Sequence, residues 1–240
     1  NNDACFPSIT VVGQIMEAIL SGQYDPNRLA VLMTQTGGCC RASNYVAFIR
    51  KALDKAGLSH IPVISLNANG REKNEGFRLR HALLLRMAYS IVYGDLIMRC
   101  LYRVRPYELV AGAADELRKR WTERCIASLT GKNHSIRFRQ TCRGIVEDFD
   151  RLPIHEGMVK PRVGIVGEIL VKYMPLANNH LVELLESEGA EVVVLDLMDF
   201  LNYSLFNSEY KHKYLGGKWS LSAAAKIGLD AIRALRKPAV

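Results

Sequence analysis

The chain has 240 residues, 49% of them hydrophobic and 23% charged, a globular balance that excludes a disordered or low-complexity protein. No apolar run approaches the roughly 18 residues that a membrane-spanning helix needs. The net charge of +8 is compatible with nucleic acid, a membrane surface or a polyphosphate ligand. The excess is spread through segments such as "RLRHALLLR" and "ELRKRWTER", with no nucleic-acid motif beside it, so solvated helix faces account for it most simply.

The first residues, Asn1-Asn2-Asp3, carry neither an initiator Met nor a signal-peptide pattern, and the chain reads as a piece of a longer polypeptide. Nothing points to secretion. A chain of this length does not need disulfide staples, so its cysteines are expected reduced, in a cytoplasm.

In chain order, "FPSITVVGQIMEAILSG" reads as an amphipathic helix with Ile9, Val12, Ile15, Met16 and Ile19 on one face, stopping at Gly22. "RLAVLMTQ" follows as a short apolar strand of the kind buried on both faces. Ser43 is placed to cap the next helix, where Tyr45, Phe48, Ile49, Ala52, Leu53 and Ala56 form a stripe before Gly57. "IPVISLN" is a second strand. Strand, glycine turn, helix, strand is a βαβ unit, whose right-handed crossover makes its strands parallel.

From Asn74 to Asp150 the pattern is helical, including "VAGAADELRKRWTERCIASL" with apolar Val110, Ala114, Leu117, Trp121 and Cys125. "KPRVGIVGEIL" restarts the α/β pattern with a strand from Arg162 to Val166. A helix from about Asn179 to Glu188, opened by Asn178 and Asn179, and the strand "EVVVLDL" complete a second βαβ. "SLSAAAKIGLDAIRALRK" closes as a helix. The expected fold is α/β: two Rossmann-like parallel units with a helical insertion between them. The expected segments are 1–73, 74–158 and 159–240.

The stretch "TQTGGCCRASNY", Thr34 to Tyr45, carries the most chemistry. A phosphate cradle, a redox or metal site, and a tight turn with incidental thiols are the three readings. Thr36-Gly37-Gly38 has no downstream Gly-Lys-Ser/Thr, and neither this turn nor Gly164 to Glu168 makes a GxGxxG fingerprint. Amides at the carboxyl end of parallel strands still collect anions. Cys100, Cys125 and Cys142 fall on apolar helix faces, as small core residues do. Cys5 and the Cys39–Cys40 pair sit in loops before helices, where partial positive charge favours an anionic ligand. The chain has no CxxC, so a zinc ribbon or thioredoxin-like site is not supported. His60 and His155 have no partner ligand at helical spacing.

"NNDACFP", "VVGQI", "TQTGGCCRASNYVAFIRKAL", "IPVISLN", "YGDLIMR" and "KPRVGIVGEILVKYMPLANNHLVELLESEGAEVV", in that order, resemble the 2-hydroxyacyl-CoA dehydratase and CoA-enzyme-activase-related family. The likeness is most specific in the first 70 residues and from Lys160 to Val194. It implies an iron–sulfur cluster held by cysteines between α/β lobes. ATP-hydrolysing activase domains would feed in one electron, and a CoA thioester would be reduced to a ketyl radical that expels its hydroxyl group. The segment resembles the dehydratase-like portion of a long fused protein.

Carried over, the family's cysteines fall on Cys5 and Cys40, with Cys39 at the position of a third glycine. Which of the adjacent thiols faces a cluster stays open. Thr36, Gly37, Gly38, Arg41 and Glu168 are the residues expected to contact the cofactor or a CoA phosphate. The cluster is expected incomplete or absent in this segment, its other ligands lying elsewhere in the parent protein.

The implied partners are the activase domains, the remaining dehydratase-like domains and an acyl-CoA, with neither nucleic acid nor membrane. The competing readings are a cluster-free module that binds CoA or another phosphorylated ligand, and a structural domain of a larger assembly.

Overall fold

The computed structural model describes residues 5–35, 44–67, 80–131 and 134–237. It is a mixed helix-and-strand protein. Along the chain run α1 (Phe6–Leu20), β1 (Val31–Gln35), α2 (Tyr45–Lys55), β2 (Val63–Asn67), α3 (His81–Val104), α4 (Ala113–Thr130) and α5 (His134–Asp150). They are followed by β3 (Arg162–Ile165), α6 (Ile169–Tyr173), α7 (Leu181–Ser187), β4 (Glu191–Val194), α8 (Leu197–Leu215) and α9 (Trp219–Arg236). The chain divides into two compact units, Asn1–Leu79 with Ile169–Asn178, and Arg80–Glu168 with Asn179–Val240.

In the first unit β1 and β2 pair in parallel, from Val31 opposite Val63 to Gln35 opposite Asn67. Strand, helix and parallel strand therefore follow in the order the sequence predicts. Helix α1 stops at Leu20 and α2 at Lys55, just ahead of Gly22 and Gly57, which both take φ +72. Ile19, Ile49, Leu53, Val46, Val31 and Val63 close into one core against the half-buried Val12, Ile15 and Met16. Burial of a side chain such as Ile49 or Leu53 contributes about 1.5–3 kcal/mol.

Three expectations are corrected here. Ile9 and Phe48 are 55% and 41% exposed, because each lies at the edge of its helix's apolar arc. Leu32 is 52% exposed, so β1 is not buried on both faces. The core gathers the odd-numbered strand residues Val31, Met33 and Val63 with α1 and α2, and Leu32 lies outside it. Asn44 precedes α2 without a side-chain cap bond, and Ser43 lies outside the described residues. Asn178 closes a helix rather than opening one: its amide donates to the carbonyls of Val171 and Lys172 at 3.0 and 3.2 Å, at the end of α6.

In the second unit α3, α4 and α5 pack on one another. Tyr89, Val92, Tyr93, Leu96, Ile97 and Leu101 recur at spacings of three and four along α3, one continuous helical face. They meet Ala114, Leu117, Trp121 and Cys125 of α4, and Phe138, Cys142, Ile145 and Phe149 of α5. Phe138 stacks on Tyr89, ring centroids 4.0 Å apart. Val110 does not belong to this stripe. It is 64% exposed, because α4 starts only at Ala113, where Glu108 accepts hydrogen bonds from the amides of Gly112 (2.7 Å) and Ala114 (2.8 Å). A carboxylate on the exposed amides of a helix start is favoured by both hydrogen bonding and the helix dipole.

Strands β3 and β4 pair in parallel from Arg162 opposite Glu191 to Ile165 opposite Val194, each shorter than the sequence predicts. Helix α8 is absent from the sequence reading. It begins where "EVVVLDL" was expected to continue as strand: Asp196 is its N-cap, and Asp95 of α3 accepts from the amides of Leu197 and Met198, both at 2.9 Å. Arg99, one turn further along α3, bonds Asp196.

Two glycines in helices test this packing with opposite signs. A Cβ on Gly144 would lie 2.7 Å from Trp121 Cη2, and the indole is held by its Nε1–H donating to Asp148 at 3.1 Å. Gly144→Ala is expected to destabilise by about 1–3 kcal/mol despite alanine's better helix propensity. A Cβ on Gly94 meets nothing within 4 Å, so Gly94→Ala should stabilise by about 0.5–1 kcal/mol. Asp95→Ala removes both bonds to the start of α8 and should cost about 2 kcal/mol. Urea unfolding of the variants, followed by far-UV circular dichroism, measures all three.

Candidate functional site

The predicted site divides into residues the structure places and residues it does not describe. Thr36, Gly37, Gly38, Cys39, Cys40 and Arg41 lie outside the described residues. The segment that holds them leaves the carboxyl end of β1 at Gln35 and rejoins the described chain at Asn44.

Cys5 is described. It is the N-cap of α1, extended at φ -64 and ψ 122, and its carbonyl accepts from the Ile9 amide at 3.1 Å. Its thiol is in no disulfide and is half-buried. Glu168 is an exposed residue at the end of the turn after β3, following Gly167, whose φ of +149 suits glycine.

The other described cysteines have a different environment. Cys142 is fully buried and Cys125 is 5% exposed, both inside the helical core, and Cys100 packs against it half-buried. Burial pushes the thiols of Cys125 and Cys142 up to about 12 and that of Cys100 up to about 11. They stay neutral at any physiological pH, the form that does not ligate metal. Among the described residues no group of three or more His, Cys, Asp or Glu side chains is arranged to hold a metal ion.

The second unit also contains a cleft of about 510 Å³ that sequence reasoning missed. Cys100, Val104 and Phe149 line its apolar part, and Arg103, Tyr107, His155 and Glu191 its polar part. Backbone bonds from His155 N–H to the Tyr107 carbonyl (2.8 Å) and from Leu109 N–H to the Pro153 carbonyl (3.0 Å) tie its two loops together. Glu191 is buried at the start of β4. It accepts from the Tyr107 hydroxyl at 2.8 Å and pairs with Arg162 at 2.9 Å, with Arg103 at 3.8 Å.

Partial burial and the bond to Glu191 push the Tyr107 phenol upward, so it remains the donor. With donors on both of its oxygens, Glu191 is an anchor of the strand. Tyr107 and Glu191 are 84 residues apart, and no local pattern in the chain links them.

His60 and His155 are both exposed. His155 lies on the cleft wall, and His60 belongs to the first unit. Comparison with family profiles, with curated proteins and with solved structures gives no match to this chain.

The two thiol environments separate by labelling. At pH 8 iodoacetamide should leave Cys125 and Cys142 unmodified in the folded protein and modify them once urea unfolds it, as read by peptide mass spectrometry. Their folded pKa values, about 12, lie above the free thiol's 9.0. The stability contributed by neutral burial is therefore complete below pH 9 and is lost as pH rises toward 12. The urea midpoint should fall over that window, and fall less steeply in Cys142→Ala.

Proposed function

We propose that the chain is the dehydratase-like portion of an iron–sulfur, acyl-CoA dehydratase-like or activase-associated protein, built on two Rossmann-like α/β units. The observation that carries this reading is the division of the cysteines. Cys5 stands half-buried with a free thiol at the start of a 15-residue helix, whereas Cys125 and Cys142 are neutral packing residues. The parallel β1–β2 pair supports it further, since the Thr36–Arg41 segment leaves the carboxyl end of β1, the end of a parallel sheet at which ligands collect. The β3–β4 pair supports the second unit in the same way.

Cys5 and one of the adjacent pair Cys39 and Cys40 are the residues that would hold the group. Thiolates are the right donors for iron; two of them, where four are usual, call for further ligands from other parts of the parent protein. When bound, such a cluster supplies single electrons to a CoA thioester, after reduction by ATP-hydrolysing activase domains. In this reading Arg41 offers positive charge to the CoA phosphates and Glu168 orients the ligand from the second turn. The reaction class is that of a 2-hydroxyacyl-CoA lyase, in a cytoplasm.

Anaerobic reconstitution of the full-length protein with iron and sulfide tests this reading. Iron and acid-labile sulfide should bind to the wild type and be lost in Cys5→Ala and Cys40→Ala. Cys125→Ala should keep its iron while losing about 1 kcal/mol of stability. Stoichiometric CoA binding with no iron in the complete protein would replace the cluster with a cluster-free ligand module.

A further inference from the structure

The α8–α9 hairpin concentrates exposed apolar residues that its packing does not use. Tyr203, Phe206, Tyr210 and Tyr214 recur at spacings of three and four along α8, so they share one helix face, and all are exposed. Tyr210 and Tyr214 contact each other with ring centroids 4.7 Å apart. Past this face, at the end of α8 and the start of α9, Leu215, Trp219 and Leu221 are also exposed, at 69%, 72% and 59%.

The turn is closely packed. Gly216 takes φ +66, a Cβ on Gly217 would lie 3.0 Å from the backbone of Lys211 and His212, and His212 Nδ1 meets the Gly217 carbonyl at 2.8 Å. The tip is therefore held in shape with its apolar side chains outward.

Charge singles out the same tip. From Tyr210 to Leu229 the sequence contains no Asp or Glu, while Lys211, Lys213, Lys218 and Lys226 fall within it. Lys211, Lys213 and Lys218 are exposed, and Lys213 lies over the Tyr214 ring at 5.1 Å. Every formal cation of the tip is lysine, whereas the charged contacts of α3, α4 and β3 in this unit are mostly made by arginine.

We propose that this tip attaches the protein to the surface of an anionic lipid bilayer. Tyr214, Leu215, Trp219 and Leu221 enter the boundary between headgroups and acyl chains, and Lys211, Lys213 and Lys218 meet the lipid phosphates. Tyrosine and tryptophan are the residues of membrane interfaces, and lysine snorkels from an apolar face to charge above it. A protein partner fits less well, because the cores of protein interfaces are depleted in lysine and favour arginine. A single-stranded nucleic acid would stack on the rings but leave Leu215 and Leu221 without a partner.

No described helix is long and apolar enough to cross a membrane. The proposal departs from the sequence expectation of no membrane partner, in which the basic excess reads as solvated helix faces and α8 is not predicted. The proposal does not depend on the cysteine reading.

Vesicle flotation of the full-length protein tests it, with phosphatidylcholine vesicles containing or lacking phosphatidylglycerol. The protein should float with the anionic vesicles only, with Trp emission shifting to the blue. Lys211→Gln, Lys213→Gln and Lys218→Gln together should weaken partitioning roughly 100-fold, about fivefold per lysine. Leu215→Ser with Trp219→Ser should weaken it roughly tenfold or more.

A charge-matched control, Lys51→Gln, Lys55→Gln and Lys119→Gln, should bind as wild type. All these positions are exposed, and circular dichroism checks that each variant folds. Equal flotation with both vesicle types, equal loss in the control triple, binding of oligo-dT in place of vesicles, or self-association that buries Trp219 would each overturn the proposal.

Discussion

The second unit depends on a row of charges along one side of α3. Asp95, Arg99 and Arg103 are spaced by four and lie on one helix face. Asp95 receives the first amides of α8, Arg99 bonds Asp196, and Arg103 approaches Glu191 at the start of β4. Just past the helix, Arg105 reaches Glu186 of α7 at 2.8 Å and Asp115 of α4 at 3.4 Å. The helix satisfies groups of the sheet and of α8, and the arginine that follows it those of α7 and α4. Burial works against the Arg105 charge, but Glu186 and Asp115 outweigh it and raise its pKa. Removing either side of such a pair leaves a charge that costs several kcal/mol to keep buried.

That row also explains why the helices and the second sheet form one unit. The core of α3, α4 and α5 extends to Met198 of α8, and the half-buried Leu201, Ile232 and Leu235 pack against it. The apolar face of α3 binds its helical neighbours, and the charged edge binds β4 and the start of α8. In the cleft lined by Tyr107 and Glu191, the carboxylate on the polar wall is held by the structural partners Tyr107, Arg162 and Arg103.

The cysteines show how the same side chain serves two ends. On the buried faces of α4 and α5 the thiol acts as a small apolar group, and desolvation holds it neutral. Ahead of α1, Cys5 has no such burial and stands where backbone amides are unpaired with a helix partner. Their surroundings separate a packing thiol from a candidate ligand.

The sequence by itself determined what is local. The order of strand, helix and strand follows from short apolar runs divided by glycine turns, and spacings of three and four placed Cys125 and Cys142 inward. Tertiary structure decided what depends on distant residues. The turn from β4 into α8 at Asp196 is stabilised by Asp95, 102 residues away from Leu197, so an apolar run that reads as continuing strand ends early. Leu32 is exposed because α1 and α2 pack on the other strand face, a choice that periodicity alone does not make. Glu191 meets Tyr107 across 84 residues of chain, and the aromatic face of α8 becomes a surface only once the hairpin has turned its other side to the core. Burial of a face and pairing of a buried charge are properties of the packed chain, and short-range pattern carries no information about which distant group will supply them.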